Sequence, residues 1–253
     1  MSMSLKTSQF TRTRAFTLLD LLVSLAVVVV LISVLLPTLG AVRETTRRVV
    51  CASNQRQVGL GIQMFADANR GNIPPSVFMA PSPTGSHISG TYTPEDTMTL
   101  RIGTQSAGSR SLRSGWDGLG VLYQSEYLRT PEIYYCPSHK GFHEYPHYAE
   151  IWNDESKDII GNYQYRAISP RGDRQLSTLA DANLALVTDG FRTKIDFNHE
   201  SGANVLRADL SMFWFSDPQS KFTENLPDDE TGVSSTLVDN AWQLLDRAIN
   251  GKD

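Results

Sequence analysis

Cysteine is nearly absent from this chain, with Cys51 and Cys136 the only two in 253 residues. A single internal bridge is the most they can form, and the compartment decides whether they form it. Excess positive charge is missing as well, since 23 Lys and Arg stand against 27 Asp and Glu. A mildly acidic chain is poorly suited to neutralising phosphates, so no nucleic-acid partner is expected. No glycine-rich phosphate loop opens a helix, which removes the commonest nucleotide cradle. Apolar runs of membrane length are lacking everywhere but one place.

That place is Phe16 to Leu36, whose only polar residues are Thr17, Asp20, Ser24 and Ser33. As a helix its 21 residues would rise about 31 Å, enough to cross a bilayer core. A secretory signal cut near Thr38-Leu39-Gly40 is one reading of such a run. An anchor is the other, favoured by the length of the run and the acid inside it. Lys6, Arg12 and Arg14 precede the run and Arg43, Arg47 and Arg48 follow it, so flanking charge does not set an orientation. A carboxylate at bilayer depth costs about 3 kcal/mol, less near the interface, and usually has a partner.

"RAFTLLDLLVSLAVVVVLISVLLP" resembles the N-terminal signal of type IV pilins and type II secretion pseudopilins. Its elements are a short basic leader, a small residue, Phe-Thr, two aliphatics, an acid at the fifth mature position and a proline at the twenty-second. The resemblance implies a leader over residues 1–15, cut between Ala15 and Phe16 by a prepilin peptidase, with Phe16 N-methylated. It implies a transmembrane and assembly segment over 16–37, kinked at Pro37, then a periplasmic continuation over 38–71 and a globular domain over 72–253. It also orients the chain as a single-pass inner-membrane protein, N-terminus cytoplasmic, with the domain periplasmic or on an extracellular filament. Two residues depart from the family's preferences: Ala15 stands where it prefers Gly, and Asp20 where it prefers Glu. In the family that acid meets the free amine of a neighbouring subunit, which gives Phe16 and Asp20 an assembly role. Capping the first helical turn is the simpler alternative for Asp20.

Beyond Pro37, Leu39, Val42, Thr46, Val49, Ser53, Leu60 and Met64 recur at helical spacing, and Asn69 to Gly71 supply stop signals. Gly59 and Gly61 allow close packing or bending. "CASNQRQVGLGIQMFADANRGNIPP", "YYCPSH" and "NHESGANVLRADLSMFWF" further resemble a large bacterial group with a prepilin signal and a downstream domain of unassigned function. Leu210 and Ser211 replace that group's Gly-His turn. With the outside orientation that the prepilin signal implies, a Cys51–Cys136 disulfide stapling helix to domain is expected, two free thiols being the alternative.

Residues 76–113, rich in Ser, Thr, Gly and Pro, read as a long irregular surface insertion. "GNYQYRAIS", "LALVTDG" and "NVLRADLSMFWFS" read as strands. Leu237, Ala241, Leu244, Leu245 and Ala248 mark a C-terminal helix with Ser234 or Ser235 as cap. The expected fold is α+β and pilin-like: a long N-terminal helix on an antiparallel sheet, closed by a C-terminal helix.

Three constellations carry candidate chemistry. Cys136, His139, His143 and His147 have zinc-site residue types, but Gly141 and Pro146 break the helix that would align them. Asp228, Asp229 and Glu230 are weak calcium candidates within an otherwise metal-free and cofactor-free expectation. Ser201, His199 and Asp189 have hydrolase types, but nothing around Ser201 resembles a strained nucleophile elbow, and no enzyme is expected. The expected function is a pilin- or pseudopilin-like subunit of a type IV pilus or type II secretion filament, partnered by other subunits, prepilin peptidase and the inner membrane. A membrane-anchored carbohydrate- or solute-binding module, using Trp116, Trp152 and Trp214, is the alternative.

Overall fold

The computed structural model describes residues 17–79, 92–110, 112–199 and 201–251. Ala15 and Phe16, the expected processing pair, lie outside the described residues. The chain divides into two compact units, Met1–Glu44 and Thr45–Asp253.

Helix α1, Leu18–Ala68, begins in the first unit and ends in the second. It runs through Pro37, with helix on either side. At its start Thr17 and Asp20 close a capping box: the Thr17 amide and hydroxyl donate to Asp20 Oδ2 at 3.1 and 2.8 Å, and the Asp20 amide donates back to Thr17 Oγ1 at 3.1 Å. From Leu18 to Leu36 the large apolar side chains are 49 to 80 % exposed, so this stretch has no protein core of its own. It is long and apolar enough to cross a membrane. The helix stops where Arg70 and Gly71 turn left-handed, with φ of 58° and 83°, and the Gly71 amide donates to the Ala66 carbonyl at 2.8 Å.

The second unit is α+β with two antiparallel sheets. Strand β1 (Thr99–Ile102) precedes helix α2 (Thr104–Arg110), strand β2 (Gly115–Trp116) and helix α3 (Gly120–Gln124). Helix α4 (Tyr145–Ala149) leads to strands β3 (Ile159–Ile160) and β4 (Tyr163–Tyr165), then helix α5 (Leu176–Asp181). Strands β5 (Ala185–Asp189), β6 (Gly202–Arg207) and β7 (Met212–Ser216) follow, then helices α6 (Lys221–Glu224) and α7 (Ser235–Ile249). The small sheet has the order β2-β1-β3, and the larger one β4-β5-β6-β7.

The larger sheet is covered on both faces, which explains why β5 and most of β6 are buried without alternation. Cys51, Val58, Ile62 and Phe65 of α1 pack with Tyr163, Tyr165, Val187 and Leu206 on one side. Ala203, Val205 and Phe215 pack with Val238, Ala241, Trp242 and Leu245 of α7 on the other. Gly59 makes the first contact close: a Cβ there would lie 2.9 Å from Leu206 Cδ2, so the glycine serves close approach. Ser234 caps α7, its hydroxyl accepting from the Leu237 amide at 3.3 Å. The β6–β7 hairpin turns through Leu210 at φ 66°, a left-handed backbone that glycine adopts more readily.

The expectation of an irregular surface insertion over 76–113 needs correction. Residues 80–91 lie outside the described set, but β1 sits in the middle of the small sheet with all four residues buried. Arg101 hid this strand from a hydropathy reading. Its guanidinium is satisfied by the carbonyls of Ile151, Trp152 and Asp154 and lies 5.1 Å from the Trp116 ring, so a charge is accommodated inside.

Asp117 anchors the same region, accepting from Ser76 Oγ at 2.6 Å and the Val77 amide at 2.8 Å. Burial outweighs those bonds and pushes its carboxyl up to about 6. The folded state therefore holds this proton more tightly than the unfolded chain, whose Asp titrates near 3.9, and stability falls as pH rises between these values. Asp117→Asn should lose that dependence. Unfolding free energies of the two proteins, from denaturation at pH 4 and pH 7, should differ by roughly 2–3 kcal/mol in how far they move; a parallel pH dependence would show that Asp117 is not protonated by burial.

Candidate functional site

Four side chains that are remote in sequence converge beneath the larger sheet's α1 face. Cys51 comes from α1, and Cys136 from the loop after the short 3-10 helix Pro131–Tyr134. Asp189 ends β5, and His199 lies in the turn that leads into β6, bridged to Gly202. All four are buried, and one donor atom from each lies within 4.8 Å of the others. Local reasons hold each in place. Asn54 of α1 donates to the Tyr135 carbonyl at 3.2 Å, and Asn162 Oδ1 accepts from the Cys136 amide at 3.1 Å, which ties the cysteine loop to helix and sheet. Asn204 of β6 donates to the Arg48 carbonyl at 3.3 Å and fixes the strand against α1.

The expected disulfide is not formed: both cysteines are free thiols. Cys51 Sγ instead donates to Asp189 Oδ1 at 2.9 Å, and Cys136 Sγ lies 3.6 Å from His199 Nε2. The sulfurs are neighbours: Cys51 Sγ is turned to Asp189, and Cys136 Sγ to both His199 and Cys51. Burial, together with Cys136 and the charge of Asp189, holds the Cys51 thiol well above its usual value. Burial also pushes Cys136 up, but the hydrogen bonds with Cys51 and His199 outweigh it and bring that thiol down.

A shell of amides surrounds the four groups. Asp189 accepts from Gln55 Nε2 and Asn198 Nδ2 on Oδ1, both at 3.2 Å, and from the Asn204 amide on Oδ2 at 2.6 Å. The Ser138 amide points at Cys136 Sγ from 3.4 Å. The Tyr163 hydroxyl stands 3.6 Å from Cys51 Sγ and donates to the Tyr135 carbonyl. Gln55 Oε1 is buried and has no hydrogen-bond partner among the described residues.

The other sequence candidates separate. Ser201 is exposed while His199 and Asp189 are buried, and His199 presents Nε2 to Asp189 Oδ2 at 3.6 Å as well as to Cys136. A relay needs base and orienting acid on opposite ring nitrogens, so this is not hydrolase geometry. His139 pairs with Asn198 Oδ1 at 2.7 Å, His143 with the Tyr148 hydroxyl at 2.6 Å and Arg192 at 2.8 Å, and His147 is exposed. The Cys136-to-His147 spacing therefore does not close on one point. Asp228 pairs with Lys194 at 2.8 Å, Asp229 accepts from the Thr231 amide at 2.9 Å, and Glu230 pairs with Arg192 at 2.6 Å, so the three calcium candidates are divided among three partners. Trp152 is buried among Tyr123, Tyr134 and Trp116, and Trp214 carries Arg48 over its ring at 3.2 Å. These tryptophans are engaged in packing contacts.

The sequence singled out all four clustered residues but in the wrong groups, and it missed the amides Gln55, Asn162, Asn198 and Asn204. For Gln55, Asn198 and Asn204 the signal was present in "CASNQ" and "NHESGAN", where buried amides sit beside the ligand-type residues. The chain matches no family model, no curated protein and no solved structure.

Proposed function

We propose that the protein is a prepilin-like structural subunit, cut between Ala15 and Phe16, anchored by its N-terminal helix and assembled through that helix with its own kind or related subunits. The observation that carries this reading is the first half of α1. Its large apolar side chains are exposed throughout, and its one acid, Asp20, sits in the first turn next to the cut. Lipid covers such a surface in a lone subunit, and neighbouring helices cover it in a filament. Both bonds of the capping box to the carboxylate use Oδ2. Cleavage would create an amine at the depth of Asp20, and a pair of opposite charges is far less costly in lipid than either alone. The orientation that follows places residues 45–253 outside the cytoplasm, as a periplasmic or filament-surface domain.

The test is incorporation of Asp20 variants into multimers in a host with a prepilin peptidase and filament machinery. Asp20→Ala should reduce incorporation by about tenfold or more, the scale of one lost charge-assisted contact, while Asp20→Glu keeps it. Equal incorporation of wild type and Asp20→Ala would leave the carboxylate as a helix cap and remove the assembly role.

A further inference from the structure

We propose that Cys51, Cys136, Asp189 and His199 are the four ligands of one divalent ion of the zinc class, a structural centre that staples α1 to the sheet where a disulfide was expected.

The donor set is two sulfurs, one imidazole nitrogen and one carboxylate oxygen, the kind of mixed soft and borderline set that suits zinc better than calcium or magnesium. Spacing supports it. With metal–sulfur bonds of about 2.3 Å and metal–nitrogen or metal–oxygen bonds of about 2.0 Å, tetrahedral edges run from about 3.3 to 3.8 Å. The Cys136 Sγ to His199 Nε2 and His199 Nε2 to Asp189 Oδ2 separations are both 3.6 Å, and all four donors lie within 4.8 Å of one another, so the site draws in by about 1 Å at most around an ion. Cys51 Sγ meets the other carboxylate oxygen, Oδ1, at 2.9 Å, donating its thiol proton, so this distance is not an edge of the same tetrahedron. An ion takes the place of that proton, and the two thiol protons leave to solvent as thiolates bind.

The direction of His199 separates a coordination site from a catalytic one. A single ring nitrogen, Nε2, faces the sulfur, the carboxylate and, at 3.4 Å, the Asn204 side-chain amide, and the sulfur and carboxylate address a common point with it. The surrounding shell fits as well. Gln55, Asn198 and the Asn204 amide orient the Asp189 carboxylate, and the Ser138 amide is aimed at the Cys136 sulfur. Two thiolates, a carboxylate and a neutral imidazole would carry three negative charges in a buried space, and a divalent ion leaves one, which those N–H donors can share. Entry is available from one side: Cys136 lines an open cavity of about 300 Å³ with Asn54, Tyr135 and Glu144.

The experiment uses the full-length chain in detergent, purified with a reductant and without chelator, and the probes are Zn²⁺ and Co²⁺ alone. Expected are about one zinc per chain by elemental analysis and, after exchange, the intense visible bands and thiolate charge-transfer absorption of tetrahedral cobalt. Cys136→Ser and His199→Ala should each lose most of the zinc. If a variant misfolds, the wild-type cobalt spectrum still decides, because it reports sulfur ligation and coordination number directly. Two results would overturn the proposal: reduced wild-type protein that takes up neither ion, or cobalt bound with an octahedral spectrum lacking the charge-transfer band. A Cys51–Cys136 disulfide in protein isolated directly from cells under non-reducing conditions would also overturn it as the native state. None of these outcomes depends on cleavage or filament assembly.

Discussion

Asp246→Ala should destabilise the second unit by about 3–5 kcal/mol, the scale for removing one partner of a buried ion pair. Asp246 lies on the inner face of α7, and both its oxygens accept from Arg166 Nη1, at 3.0 and 2.9 Å. Oδ1 also accepts from the Ala185 amide at 2.9 Å, at the start of β5. Arg166 is itself 4 % exposed and lies 4.6 Å from the centre of the Trp242 ring. Truncation at 246 would leave a guanidinium out of water with Asp239 near it but no carboxylate bonded to it, and a strand amide without its acceptor. The loss belongs to the unpaired cation more than to the bond, so Arg166→Met added to Asp246→Ala should recover part of it. Chemical denaturation followed by tryptophan fluorescence measures both. A single-variant effect below about 1 kcal/mol would mean that water reaches Arg166 or that α7 docks without this pair.

Gly202→Ala should be comparably damaging, at about 3 kcal/mol or more, because the backbone leaves no room for even one methyl group. At Gly202, φ is +156°, and a Cβ would sit 2.0 Å from the Phe215 carbonyl oxygen and 2.8 Å from the Trp214 ring. Backbone across a strand pair cannot step aside as a flexible side chain can, and Gly202 pairs directly with Ser216. Relief requires β6 and β7 to separate at the end where His199 turns in. The variant should therefore lose melting temperature and, in the same preparations, disturb the environment of Cys51 and Cys136, read as faster alkylation of thiols that are buried in the native protein. Native-like melting would show that the hairpin end opens without strain.

How much of this was legible beforehand depends on whether a feature is local. The long helix was, because its apolar run, its acid in the first turn and its Asn-Gly stop are all written within a few residues of where they act. So were β4, β5, the β6–β7 hairpin and α7, each a short run with its own turn or cap. Strand β1 was not, since Arg101 reads as surface until the carbonyls of Ile151 and Asp154 are brought around it from fifty residues away. The buried cluster was legible only in pieces. Cys51 and Cys136 suggested a bridge, and Asp189 and His199 suggested a base and its acid with Ser201. The grouping comes from topology: a helix face, a loop, a strand end and a turn meet at one point, and no period or spacing in the chain encodes that meeting. Gln55 shows the same limit. It is fully buried, although its polar neighbours Asn54 and Arg56 mark the stretch as surface, because its amide faces Asp189.

The proposed function requires that residues 1–15 are a prepilin leader and that the free N-terminus is made at Phe16. Co-expression with a prepilin peptidase, followed by intact-mass and N-terminal peptide analysis of the membrane-bound protein, tests it most directly. The expected product begins with N-methylated Phe16 and retains the whole of α1. A product beginning at Ala41 would make the apolar run a cleaved secretory signal, and a chain left uncut by an active peptidase would make it a plain anchor; either would contradict the proposed function.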